Sequence, residues 1–303
     1  MSAAKIARLA DRGVVSVTGA DSEKLLQGLV TNDLQGLAEG EARHAALLAP
    51  QGKILFDFFI VRHGEGYLLD VARAKAAELV KRMAMYKLRA DVTITDVSDS
   101  FKVFALWGTD SKMLAEGRGI SFPDPRHRGI GLRLLASPHE NFLSSDGAES
   151  EGDSRLAYDA LRIEYGIPEG GKDYEFGDAY PHEADFDLLN GVSFTKGCFI
   201  GQEVVARMQN KTLVRKRAVK ISANAPLEPN LEILLGDISV GRVGTADGTN
   251  AIAMLRLDRV IEAEQKSLPL TAGGIAIAPD EDAMNRYRSV AAARASQSTR
   301  PIS

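Results

Sequence analysis

The sequence predicts an α+β protein, with helices layered on mostly antiparallel sheet and a small antiparallel β-barrel behind it. Three observations carry this. A length of 303 residues corresponds to two domains at roughly 150 residues each. Strand-like and helix-like patterns alternate, joined by short loops, through Trp107. After Arg215 only strand patterns remain, separated by turns rich in Asn, Gly, Pro and Asp.

The elements follow in order. GVVSVTG (13–19) alternates like a half-buried strand. DSEKLLQGL (21–29) has an acidic start and Leu25, Leu26 and Leu29 at helical spacing. ARHAALLA (42–49), KILFDFFIV (53–61) and YLLDVA (67–72) are strands, punctuated by Pro50-Gln51-Gly52 and Gly64-Glu65-Gly66. Residues 73–88 predict an amphipathic helix with Leu79, Val80, Met83 and Tyr86 on one face. DVTITDV (91–97) and FKVFALW (101–107) are strands again. Residues 137–154 are polar, acidic and pattern-free, which predicts a mobile linker. LAYDALRIEYGIP (156–168) is helical until Gly166 and Pro168 stop it. The last strands are KRAVKIS, LEILLG, ISVGRVG, NAIAMLRL and GGIAIAP. The expected organisation is an α+β region over 1–210, a barrel over 211–285, and a flexible tail over 286–303.

Composition bounds the function. At 45% apolar and 26% charged residues, the chain has the balance of a soluble globular protein. One cysteine excludes an internal disulfide and any self-sufficient four-cysteine cluster or zinc site. No apolar run reaches the roughly 18 residues of a membrane span, and MSAAKIARLADRG lacks the apolar core of a signal peptide. The expected address is a reducing cytoplasm. A net charge of −4 argues against direct nucleic-acid binding.

The lone cysteine sits in KGCFIGQEVVARM (196–208). Val204, Val205 and Met208 have i, i+1, i+4 spacing, so a short helix starts near Gly201. Cys198 then lies just before a helix N-terminus, whose free N–H groups favour a thiolate, and Lys196 adds positive charge. Gly197 and Gly201 let a backbone or ligand approach closely. A small buried thiol in a tight turn is the competing reading.

The run Lys196-Gly197-Cys198-Phe199-Ile200-Gly201-Gln202-Glu203 resembles the signature of the YgfZ-type folate-binding proteins. These are iron–sulfur cluster assembly relatives of the glycine-cleavage T-protein, an aminomethyltransferase. LQGLVTNDLQGL (26–37), APQGKILFDFFIV (49–61), LRIEYGIP (161–168), PHEADFD (181–187) and NGVSF (190–194) extend the likeness over most of residues 10–260. The resemblance implies two intertwined ferredoxin-like domains around a central opening, then a C-terminal barrel. It also implies a bound tetrahydrofolate or related reduced folate, with Glu164 accepting hydrogen bonds from adjacent pterin N–H donors.

Asp57 is the one charged residue in ILFDFFIV, and a buried carboxylate needs a partner or a ligand. The T-protein carries an Asp-Asp pair here, against Phe56-Asp57 in this chain, which counts against aminomethyl transfer. Asn32, and Asp33 beside it, either line the same opening or cap a turn. His182, Glu183, Asp185 and Asp187 match no metal-ligand spacing. From Val204 to Leu227 no acidic residue occurs, while Arg207, Lys211, Arg215, Lys216, Arg217 and Lys220 do. Arg207, Arg215 and Lys216 are therefore candidates for an anion site, such as a folate polyglutamate tail, against a solvated surface.

Three functions remain open. The favoured one is a folate-binding accessory protein for assembly or maintenance of [4Fe–4S] enzymes, including a tRNA-modifying client. Cys198 would then be one ligand of a transient cluster, because a cluster wants about four ligands. An A-type iron–sulfur carrier protein would supply the others. The alternatives are a folate-dependent one-carbon transferase and a thiol redox sensor.

Overall fold

The computed structural model describes residues 4–140, 142 and 151–298. The chain starts in one sheet, leaves it, and later returns. β1 (Lys5–Arg8) pairs antiparallel with β7 (Lys102–Trp107), which continues through β9 (Leu132–Ala136) to β8 (Gly119–Pro123) in a four-stranded sheet. Between β1 and β7 the chain builds a second, five-stranded antiparallel sheet. Its strands are β2 (Arg12–Thr18), β3 (Ala42–Leu48), β4 (Ile54–His63), β5 (Gly66–Ala72) and β6 (Thr93–Asp96), in the order β3-β4-β5-β2-β6. The two units are therefore intertwined, as the resemblance implied.

Side-chain alternation then decides what each face meets. On β4, Phe56, Phe58 and Ile60 enter the core shared with α1 (Ser22–Leu29) and α2 (Arg73–Lys87), represented by Leu26, Leu29, Leu79 and Met83. Phe59 and Val61 face the other way, into the core between the two sheets with Trp107, Phe122 and Tyr158. The four-stranded sheet also carries α3 (Ser111–Ala115) and α4 (Glu151–Glu164). The predicted linker lies largely outside the described residues, and α4 begins within it at Glu151.

Six strands close the barrel: β10 (Lys216–Ala223), β11 (Glu232–Leu235), β12 (Ile238–Asp247), β13 (Asn250–Arg256), β14 (Leu270–Ala272) and β15 (Ile275–Pro279). Closure comes from β15 pairing back onto β10. Two helices correct the strands-only reading of this part. α6 (Leu257–Lys266) buries Leu257, Val260 and Ala263 at i, i+3, i+6 against the barrel. α7 (Glu281–Ser298) runs through residues expected to be a flexible tail, because Met284 and Tyr287, three apart, anchor it in the barrel core. A last core joins the parts: Leu48 and Ile54 of the first unit meet Ile163 of α4, Phe186, Ala218 and Met254 of the barrel, and Val205 of α5 (Gln202–Asn210).

Candidate functional site

The signature loop is held from three sides. Lys196 is half-buried and its Nζ donates to the carbonyl oxygens of Gln27 and Val30, both at 2.8 Å, and of Asn32 at 2.7 Å. These are acceptors at and just beyond the C-terminus of α1, where an ammonium is favoured. Burial lowers the Lys196 pKa to about 8, with Asp33 opposing the shift. Lys196 is thus a clamp on the loop; its protons point at carbonyls, not at the thiol.

Gly201 makes the second contact. It caps α5 with φ +80, and a Cβ there would lie 2.9 Å from the Ala49 carbonyl oxygen and 3.2 Å from the Gly52 Cα. A Cβ on Gly52 would in turn meet Val204 at 2.7 Å. The Pro-Gln-Gly turn between β3 and β4 and the start of α5 therefore need both glycines for close approach. Gln202 completes the turn, its Oε1 accepting from the Phe199 backbone N–H at 3.1 Å.

Cys198 stands exposed on this braced loop, so the buried-thiol reading fails. A Cβ on Gly197 would meet nothing within 4 Å, so packing does not demand that glycine. Glu203 and Arg207 are exposed on α5 at i, i+4 spacing, and Lys211 follows after the helix ends. The basic run does not act as one patch. Lys216 pairs with Asp178 at 3.4 Å, and Arg217 holds Asp185 and Asp187, both at 2.7 Å. Arg207, Lys211 and Arg215 make no ion pair among the described residues.

The central opening is a different environment. Asp57, 7% exposed, accepts a 2.5 Å hydrogen bond at Oδ2 from the Tyr174 hydroxyl. Burial, then Asp57, raises the Tyr174 pKa well above its ordinary value. Around them lie Arg12, His44, Phe59, Arg126, Arg133 and Glu169. Both guanidinium groups of Arg126 and Arg133 sit 4.9 Å from the Phe59 ring centre. Asp124 accepts two hydrogen bonds from the Arg126 guanidinium, at 3.0 and 2.8 Å, and Arg12 holds Asp70 at 2.6 Å. The Asp57 Oδ1 and the Arg133 Nε and Nη1 have no hydrogen-bond partner among the described residues. The enclosed space is about 20 Å³, room for about one water molecule.

Behind the opening, Arg162 is fully buried at the end of α4. It donates to Asp159 at 2.8 Å, Asp173 at 3.0 Å, the Ile167 carbonyl at 2.9 Å and the Thr245 hydroxyl of the barrel at 3.2 Å. Its ion pair with Glu169 is 3.2 Å long. Burial alone would raise the Glu169 carboxyl, but Arg162 and Arg155 hold it well below the usual range. Sequence reasoning missed this network; the available signal was Asp159 three residues before Arg162 on one helix, with Glu169 and Asp173 shortly after it.

Two expected site residues come apart from Asp57 here. Glu164 does not face Asp57. With Arg162 and Ile163 turned inward, the next residue around the helix ends outside, in a groove with Lys5, Trp107 and Lys220. Asn32 is a structural residue, its amide donating to the carbonyls of His44 at 2.8 Å and Asn190 at 2.6 Å. Phe56 lies on the opposite face of β4 from Asp57, in the apolar core, so a second acid there would face hydrocarbon.

Comparison with known proteins fits this architecture. Residues 2–118 match the GCVT N-terminal domain, and residues 215–284 match the CAF17 C-terminal beta-barrel domain. The aminomethyltransferase T of the glycine cleavage system from Bartonella henselae superposes with a TM-score of 0.71 over 92% of this chain and 85% of that one, at 15% identity. That likeness is one of fold. "Iron-sulfur cluster assembly factor IBA57, mitochondrial" of Mus musculus is 33% identical over 268 residues, covering 81% of this chain and 72% of the mouse protein. The chain belongs to the IBA57 family.

IBA57 homologues of Mycosarcoma maydis and Dictyostelium discoideum are 37% and 30% identical over 72% and 69% of this chain. The matches span 57% and 60% of the length of those two relatives. All three IBA57 proteins are named mitochondrial, which overturns the cytoplasmic address. A single cysteine separates oxidising from reducing surroundings and does not tell one reducing compartment from another.

Proposed function

We propose that the chain is an accessory factor for assembly or maintenance of [4Fe–4S] enzymes, presenting Cys198 as one ligand of a cluster shared with a partner. The observation that carries this reading is the exposed Cys198 on a loop fixed by Lys196 and Gly201. Its support is the name of the IBA57 relatives, which are iron–sulfur cluster assembly factors. Among the described residues, no group of three or more His, Cys, Asp or Glu side chains could hold a metal. A cluster at Cys198 therefore needs thiolates from another protein, and an A-type iron–sulfur carrier has the right ligand chemistry. The cluster is cargo in this reading. The chain's own part is to hold one soft ligand in a fixed position, with the open side at Gly197 left for the partner.

A reduced folate does not fit the central opening as it is packed. A space of about 20 Å³ admits no pterin ring unless Arg126 and Arg133 leave Phe59, and Glu164 lies outside it. No step of the proposed function runs through folate. The test is anaerobic reconstitution of a mixed complex with an A-type carrier, read as iron and sulfide per complex after gel filtration. Wild type should co-elute with a cluster, and Cys198→Ser should yield a complex depleted in iron. Equal cluster content in both would remove Cys198 as a ligand.

A further inference from the structure

The two sides of α2 are put to different uses. Its inner face, with Ala76, Leu79 and Met83, is buried against the five-stranded sheet. On the other side Lys81, Ala84, Met85 and Leu88 follow at i, i+3, i+4 and i+7, which brings them to one face. All four are exposed, Met85 at 68% and Leu88 at 87%. Leu88 ends the helix with φ +47, in the region that favours glycine. The leucine bears that strain without gaining burial, so packing does not account for it.

The charges around these two apolar side chains are mainly of one sign. From Leu79 to Ala90 there is no acidic residue, while Lys81, Arg82, Lys87 and Arg89 occur. None of the four makes an ion pair among the described residues. Glu78, just before them on the helix, is already held by Lys75 at 2.8 Å. Beyond the helix lie Asp91 and Asp21, joined by a 2.9 Å hydrogen bond from the Asp91 N–H to the Asp21 carboxylate. Four cations against these two acids leave the end of α2 positive, in a chain whose net charge is −4.

An apolar tip ringed by long basic side chains suits a flat anionic surface. The aliphatic stems of Lys and Arg lie along the apolar boundary, and their heads reach lipid phosphates. Met85 and Leu88 stand out from a convex helix face and can enter the boundary between headgroups and acyl chains. With 15 residues, α2 lies on a bilayer rather than across it. The place is also separate from the signature loop. The Asp21 N–H donates to the Asp91 carbonyl at 3.2 Å, so the exit of α2 sits at the start of α1. Lys196 is fastened at the other end of α1, whose eight residues span about 12 Å.

We infer that the C-terminal end of α2 is a peripheral binding site for an anionic lipid bilayer. Met85 and Leu88 insert, and Lys81, Arg82, Lys87 and Arg89 meet the headgroup phosphates. The test is flotation of the full chain with vesicles of equal parts phosphatidylcholine and phosphatidylserine, against vesicles of phosphatidylcholine alone. Wild type should float with the anionic vesicles, less so as salt is raised, and stay behind with the neutral ones. Lys81→Gln with Arg89→Gln should weaken partition about 25-fold, at about fivefold for each cation. Met85→Gln with Leu88→Gly should weaken it about tenfold. Because glycine relieves the positive φ, the second variant should be no less stable in urea than wild type, which separates lost binding from lost fold. Met85→Trp adds a reporter to a chain whose one tryptophan, Trp107, is 9% exposed. Its emission should shift to the blue on anionic vesicles.

Wild type that stays behind with both kinds of vesicle overturns the proposal. So does wild-type partition in both double variants, because another surface then holds the lipid. If vesicles leave the Met85→Trp emission unchanged while poly-glutamate shifts it, the face takes an acidic protein, and the proposal fails.

Discussion

The central opening and the signature loop are built on opposite terms. In and behind the opening the charges are buried and mostly paired: Arg12 with Asp70, Arg126 with Asp124, and behind them Arg162 with Asp159, Glu169 and Asp173. Around the loop the fastenings are just as specific, yet they end on backbone, and the one soft nucleophile is left facing solvent. The fold is like that of the aminomethyltransferase T, and in this chain the paired charges at its centre form a structural joint while Cys198 stands exposed at the rim.

That contrast can be broken most forcefully at Arg162. Replacing it by Met leaves Asp159, Glu169 and Asp173 buried without their shared cation, which should cost about 3–5 kcal/mol. Urea unfolding should register the loss, whereas Cys198→Ser should stay within about 0.5 kcal/mol of wild type, as for a surface substitution. Equal losses in both variants would erase the distinction between joint and rim.

Acid should act on the same joint. Burial, with Arg126 adding to it, lowers the pKa of His44 to about 4 from 6.5, so the folded state refuses a proton that the unfolded chain accepts. Stability is unaffected by this group above pH 6.5 and falls as pH drops from 6.5 towards 4. The loss should reach about 3 kcal/mol, at 1.36 kcal/mol per pH unit. His44→Phe should flatten that part of the stability-against-pH curve. A curve of the same slope in both proteins would mean that His44 is not the group responsible.

A smaller effect is expected where the loop is fastened. Lys196→Met removes three hydrogen bonds from a charged donor, and a loss of about 1.5–3 kcal/mol is expected. It should be felt locally, as faster amide exchange in residues 196–201 and at the end of α1. Uniform acceleration across the barrel would show that Lys196 supports the whole fold. Smallest of all, Glu164→Gln should change stability by less than about 0.5 kcal/mol, because its carboxylate is exposed in the outer groove. A calorimetric change in tetrahydrofolate binding on that substitution would return Glu164 to a ligand site.

Much of the fold was legible because burial writes a period into the chain. The apolar run KILFDFFIV between the Pro50-Gln51-Gly52 and Gly64-Glu65-Gly66 turns marked β4, and the helical spacing of Leu79 and Met83 marked α2. β1 was missed because four residues at a sheet edge carry too little pattern, and α7 because two anchors hold it. In the candidate site, the helix start near Gly201 was readable from spacing, whereas the exposure of Cys198 was not, because a tight turn can bury or present a small thiol. The partners of Lys196 were not, since the carbonyls it binds belong to residues more than 160 positions earlier. Glu164 was misread for a related reason. Sequence gives its place on the helix, but only the inward turn of Arg162 fixes which way that place points.

The central claim is that Cys198 is a ligand of a cluster shared with a partner. Iron Mössbauer spectra of the anaerobically reconstituted complex with an A-type carrier test it most directly. Exchanging the sulfur of Cys198 for the oxygen of serine should alter the parameters of one iron site, or strip that iron from the complex. Identical spectra and iron content for wild type and Cys198→Ser would contradict the account.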